Sequence, residues 1–148
     1  MIDWARVRHF KPWELGASWE RLDPVLIYTL DDLREFIGHP IQVAPIHEAF
    51  AVTGHSPGGQ HPKGQAVDCH VEGIPLLDAW LAAERFPAFL GIGLYPFWRH
   101  PGLHLETQNT AGAPRRARWI RESDGAYAAV TAARLHTLLT MIPPTPAA

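Results

Sequence analysis

Hydrophobic positions recur at helical spacing along residues 22–38, where Leu26, Leu30, Leu33 and Ile37 fall on one stripe. Asp23 then Pro24 supplies an N-cap and a first-turn proline, and Gly38 a stop, so this stretch is predicted as a helix. Residues 41–46 (IQVAPI) read as a short strand, bent or placed at an edge by Pro45. Gly, Pro, Ser and His dominate residues 50–64, which reads as a long loop of the functional type. A strand over 65–71 follows. Pro75 opens a second helix through Leu76, Leu77, Trp80, Leu81 and Ala83, ending near Phe86 and Pro87. Residues 91–98 and 101–108 read as two strands that can pair as a hairpin through a turn at 99–101. Residues 126–141 read as a closing helix, offering Val130, Leu135, Leu138 and Leu139 for burial. The first twenty residues form an irregular or short-helical arm, expected to lay Trp4, Phe10, Trp13 and Trp19 over the core.

This mixture predicts an α+β fold, a small antiparallel sheet flanked by helices. The 148 residues are expected to make a single domain over 1–142, with a flexible tail at 143–148. A formal charge of −2 and the lack of a basic run give no reason to expect nucleic-acid binding. No stretch of about 20 apolar residues is present to span a membrane. Asp3, Arg6, Arg8 and Lys11 interrupt any signal-peptide pattern, so synthesis in the cytoplasm is expected. A lone Cys69 excludes an internal disulfide and a thiolate-rich zinc site, and strand alternation places it toward the core. The sequence does not specify an oligomeric state.

Nine histidines are many for this length, and they cluster between His39 and His104. In GGQHPKGQAVDCHV (residues 58–71), His61 and Asp68 are both good ligands for a zinc-class metal. At about 3.3 Å per strand residue they are too far apart to share an ion unless the chain folds back. Pro62 and Gly64 permit that bend. Beyond it, Ala66 and Asp68 share one strand face, with Val67 and Cys69 on the other. A third ligand is offered by GLHLETQ (residues 102–108), where His104 and Glu106 alternate with Leu103 and Leu105. Three protein ligands, with the fourth position left to water, are the pattern of catalytic zinc. The competing reading is a set of ordinary turn and surface histidines.

HPKGQAVD resembles the H-x-x-G-x-A-x-D motif of the M15 family of zinc D-Ala-D-Ala carboxypeptidases and peptidoglycan endopeptidases. GIGLYP followed by LHLE is similar to that family's second half, in which a G-x-G-x-Y-P strand precedes the last zinc histidine. HFKPWEL (residues 9–15), LDDLREFIGHPIQV (residues 30–43) and ARW (residues 117–119) resemble other family segments, the last one seen in phage and prophage members. The resemblance implies a Hedgehog/DD-peptidase-like fold and one zinc ion per chain, bound by His61, Asp68 and His104. It further implies peptidoglycan stem or cross-bridge peptides as partners, reached by release or phage delivery.

The sequence departs from the family at three places. Pro45, Ile46, His47 and Glu48 stand where the family has S-G-Y-R, so its arginine is absent. Pro101 and Gly102 occupy the positions of the family's general-base glutamate or histidine, and Gly59 replaces a common serine. Candidate bases are therefore His100, whose intrinsic pKa suits the task, then Glu106 and Glu48. Glu106 is also a candidate to orient a zinc histidine. His47, His55 and His70 either line the cleft or stand by. The functional expectation is a zinc-dependent hydrolase of peptidoglycan peptide bonds. The alternative is a non-catalytic zinc-binding module, a phage structural or cell-wall-binding protein that lacks the usual arginine and glutamate.

Overall fold

The computed structural model describes residues 1–16, 19–43, 58–108 and 115–141. The first helix, α1 (Pro24–Ile37), starts and stops where its sequence signals lie. The Asp23 carboxylate accepts from the Val25 amide at 3.0 Å, and Gly38 closes the helix at φ +70° in the left-handed region. Leu26, Ile27, Leu30 and Leu33 form its buried stripe, with Ile37 packed against the same core. The N-terminal arm consists of three short 3-10 turns, Trp4–Arg6, Pro12–Leu15 and Trp19–Arg21. It is tied down by the buried Asp31 of α1, whose oxygens accept the Arg8 and His9 amides at 3.1 and 2.7 Å. Phe10 is buried, and Trp4 meets Trp19 edge-on at 5.5 Å against the core. Trp13 departs from expectation: it is 75% exposed.

Six strands among the described residues form one sheet. They are β1 (Ile41–Val43), β2 (Ala66–Val71), β3 (Gly91–Tyr95), β4 (Gly102–Glu106), β5 (Ala117–Arg121) and β6 (Tyr127–Ala129), in the spatial order β1-β2-β4-β3-β5-β6. Helix α2 (Leu76–Ala83) lies between β2 and β3 in sequence, and α3 (Ala132–Met141) follows β6. The fold is α+β, as expected, but the sheet is mixed rather than antiparallel. Glu106 at the end of β4 and Ala117 at the start of β5 are both Cα partners of Gly91, on opposite sides of β3. The chain therefore re-enters the sheet at the end where β4 stops, and β5 must run parallel to β3. The expected hairpin of β3 and β4 is present.

Two further expectations need correction. The stretch expected as one closing helix begins with β6, which pairs antiparallel with β5 through the turn before Gly125. Helix α2 ends at Ala83, earlier than Phe86, and Leu81 lies on its outer side. Residues 44–46 of the expected first strand, residues 50–57 of the expected loop and the tail 143–148 lie outside the described residues.

Register sorts every strand residue onto one of two faces, because directly paired residues point the same way. One face carries Ile41, Val43, Val67, Cys69, Ile92, Leu94, Leu103, Leu105 and Ile120, all buried in a single core with α1 and α2. Cys69 is thus a core residue, and burial raises its thiol pKa. The other face is polar, aromatic or bare, and it is ordered in three transverse rows. Gln42, His70, Gly102, Tyr95, Arg121 and Tyr127 make the first. Asp68, His104, Gly93, Trp119 and Ala129 make the second, and Ala66, Glu106, Gly91 and Ala117 the third. Among the described residues, no helix is long and apolar enough to cross a membrane.

Candidate metal centre

The second row supplies Asp68 and His104, which are Cα partners on adjacent strands. His61 joins them from a tight turn over residues 60–64. In that turn the Gly64 amide donates to the His61 carbonyl at 2.9 Å, and the Gln65 amide to the Gln60 carbonyl at 3.0 Å. Gly64 has φ +72°, and a Cβ there would overlap the Arg21 carbonyl, so the bend depends on glycine at this position. Asp23 holds the turn in place. Its amide donates to the Gly64 carbonyl at 2.9 Å, and its Oδ2 accepts from the Thr107 hydroxyl at 3.2 Å, just past β4. One residue therefore caps α1, fixes the His61 turn and fastens the end of the His104 strand.

The three candidate ligand atoms form a small triangle. His61 Nε2 lies 3.2 Å from His104 Nδ1, His104 Nδ1 lies 2.9 Å from Asp68 Oδ1, and His61 Nε2 lies 3.4 Å from Asp68 Oδ1. Tetrahedral zinc with bonds of about 2.0–2.1 Å separates its ligand atoms by about 3.3 Å. The donor set and its spacing fit a zinc-class ion, and this is the one such group of three among the described residues.

Glu106 completes the arrangement. Its Oε2 lies 3.2 Å from His104 Nε2, on the opposite side of the ring from the triangle. A carboxylate there holds the proton on Nε2 and leaves the Nδ1 lone pair facing Asp68 and His61. Space for Glu106 comes from Gly91 across the strand pair, where a Cβ would overlap the carboxylate. Gly93 is bare for a similar reason: a Cβ there would run into the Trp119 indole, whose ring sits 5.3 Å from that of His104.

Charge is concentrated here under little solvent. His104 is 9% exposed and Glu106 5%. Burial opposes charge on His104, but hydrogen bonds to Asp68 and Glu106 outweigh it and push its pKa up to about 9. Burial likewise works to raise Asp68, yet hydrogen bonds from His104 and His61 hold it down to about 2. Without metal, a protonated His104 offsets part of the two carboxylates' charge. With a divalent ion and neutral imidazoles, the two carboxylates are balanced in full.

The structure brings His61, Asp68, His104 and Glu106 together. His100 stands apart from them: it is exposed and stacks on His70 at 5.3 Å, in the neighbouring row. Glu48, together with His47 and His55, lies outside the described residues. Sequence reasoning passed over Trp119 and Tyr95. Tyr95 shares a period-two face with Gly91 and Gly93, and that glycine alternation beside an imidazole strand was the available signal. A scan against protein-family models found no match to this chain, and searches of curated proteins and of solved structures found none either.

Proposed function

We propose that this chain is a zinc-dependent peptide hydrolase of the M15 type, with a Hedgehog/DD-peptidase-like arrangement, acting on peptidoglycan stem or cross-bridge peptides. The observation that carries this reading is the His61–Asp68–His104 triangle with Glu106 behind His104. It is three protein ligands in tetrahedral spacing, as in catalytic zinc sites. When bound, zinc would lower the pKa of a coordinated water to about 7 and polarise the carbonyl of the scissile amide. His61, Asp68 and His104 hold the ion, and Glu106 fixes the tautomer of His104. Glu106 is thereby committed to orientation, which leaves proton transfer to another group. His100, exposed on the sheet's polar face beside His70, is positioned to take a proton from water and return it to the leaving amine.

A second reading, a zinc-binding module without hydrolysis, is favoured by one observation. Among the described residues, the ion pairs of Asp68 and Glu106 run only to the two histidines, and no arginine or lysine takes part. Release of labelled peptide from peptidoglycan separates the two readings, run with and without chelator on wild type, Asp68→Ala and His100→Ala. The hydrolase reading expects chelator-sensitive release that Asp68→Ala abolishes and His100→Ala lowers by about 10²- to 10⁴-fold. Stoichiometric zinc with no release from any peptidoglycan preparation would leave the binding module standing.

A further inference from the structure

The polar face carries a second feature beside the metal centre. Tyr95 ends β3 in the row next to that of His104, and its ring lies 6.3 Å from the His104 ring. The ring is clamped on one side by Trp98, stacked at 4.1 Å, which itself lies over the bare position of Gly102. Because Gly93 has no side chain, the Trp119 indole reaches across β3, and its Nε1 lies 3.3 Å from the Tyr95 hydroxyl oxygen. An indole N–H can only donate. The phenol oxygen therefore accepts, and its own proton is directed away from Trp119. Tyr127, paired with Arg121 at the sheet edge, also interacts with that hydroxyl, but it is 65% exposed and readily displaced. Asp68 acts on Tyr95 electrostatically, which places the phenol within the field of the ligand set.

Hydrolysis of an amide builds negative charge on the carbonyl oxygen, and a donor aimed at it is worth about 10²–10³ in rate. The cation that would ordinarily meet this charge is missing from the described surroundings. Arg121, on the same face, is engaged elsewhere: its guanidinium lies 4.2 Å over the Tyr127 ring and against the turn at Gly125. Resting on the hydrolase reading above, we infer that the Tyr95 hydroxyl donates a hydrogen bond to the oxyanion of the scissile group, in place of a basic side chain, with Trp119 as the residue that positions it. Burial raises the phenol's pKa, so the donor keeps its proton at any physiological pH.

The test uses the cobalt-loaded full chain and two anions, read by the cobalt absorption band. Dimethylphosphinate is tetrahedral and presents an oxyanion to a donor beside the metal, whereas azide reports the metal alone. Tyr95→Phe is expected to weaken dimethylphosphinate by about 10- to 100-fold while azide stays within about twofold. Trp119→Phe is expected to weaken dimethylphosphinate in the wild-type background but to add nothing in the Tyr95→Phe background, an outcome a purely structural role would not give. Equal loss of both anions in Tyr95→Phe, unaltered dimethylphosphinate affinity, or no dimethylphosphinate binding by wild type would each overturn the assignment. Failure of the hydrolase reading looks different: Tyr95-dependent phosphinate binding would persist in a protein that releases no peptide.

Discussion

The two faces of the sheet are made of the same strands in the same register, yet they are stabilised in different ways. On one face Val67, Leu103, Leu105, Ile92 and Leu94 are apolar and buried against the helices, and burial alone accounts for their contribution. On the other face, one residue along each strand, Asp68, His104 and Glu106 are nearly as hidden from water but are polar or ionisable. A buried polar face must satisfy itself, through partners or through an ion, because unpaired charge under low dielectric is costly. The first face follows from hydrophobicity; the second requires an electrostatic solution, and the triangle of ligand atoms provides it.

The sharpest break between the faces is a pair of substitutions one residue apart in pattern. Asp68→Ala should abolish stoichiometric zinc, as read by metal analysis of protein purified without added zinc, while the chain stays folded. Leu105→Ala should do the reverse, lowering stability by about 2–5 kcal/mol in a denaturant titration while zinc content is retained. Equal zinc in wild type and Asp68→Ala would remove Asp68 from the ligand set.

Removing the ion instead of the ligand tests whether the polar face is needed to fold. Zinc at a hundred times its dissociation constant should stabilise by about 2.7 kcal/mol, seen as a raised Tm. Chelation should reverse that rise and leave the circular dichroism spectrum in place, since the apolar face is complete without metal. Collapse of secondary structure on chelation would make the centre structural rather than catalytic.

Glu106→Gln probes the link behind His104 and should weaken zinc by about 10- to 100-fold in a competition titration. Leu103→Val, next to His104 on the opposite face, should leave zinc affinity unchanged.

The smallest effect is a pH slope. At pH 7 the metal-free His104 carries a proton, because its pKa is raised to about 9. Zinc must displace that proton, so its affinity should rise about tenfold per pH unit from neutrality and level off near pH 9. In the metal-free protein the sign is opposite. The raised pKa stabilises the fold fully below the unfolded value of about 6.5, and this is lost as pH rises through about 9. A zinc affinity that is flat over this range would show that His104 is already neutral.

Local signals were legible wherever they act locally. Asp23, Pro24 and Gly38 set the bounds of α1, and the alternation around Leu103 and Leu105 put His104 on the polar face. Pro62 and Gly64 marked the bend that brings His61 to Asp68. Strands β5 and β6 were not legible as strands, for two physical reasons. The partner of β5 on its inner side is β3, far away in sequence and parallel, so no short-range pattern announces the pairing. Tyr127–Ala129 is alanine-rich, and alanine favours helices in isolation; pairing with β5 overrides that preference. The turn signal Asp124–Gly125 was the local clue to this hairpin. Trp119 escaped notice because its role depends on Gly93 lying bare across the sheet.

Asp23 gives the metal centre a reach beyond its ligands. The first turn of α1, the His61 turn and the end of β4 meet in this one side chain and its amide. Local opening of the helix start is therefore also an opening of the ligand loop, and an ion that holds the loop closed resists both. Hydrogen exchange at the Val25 amide, far along the chain from any ligand, becomes a clock for the residence of the metal.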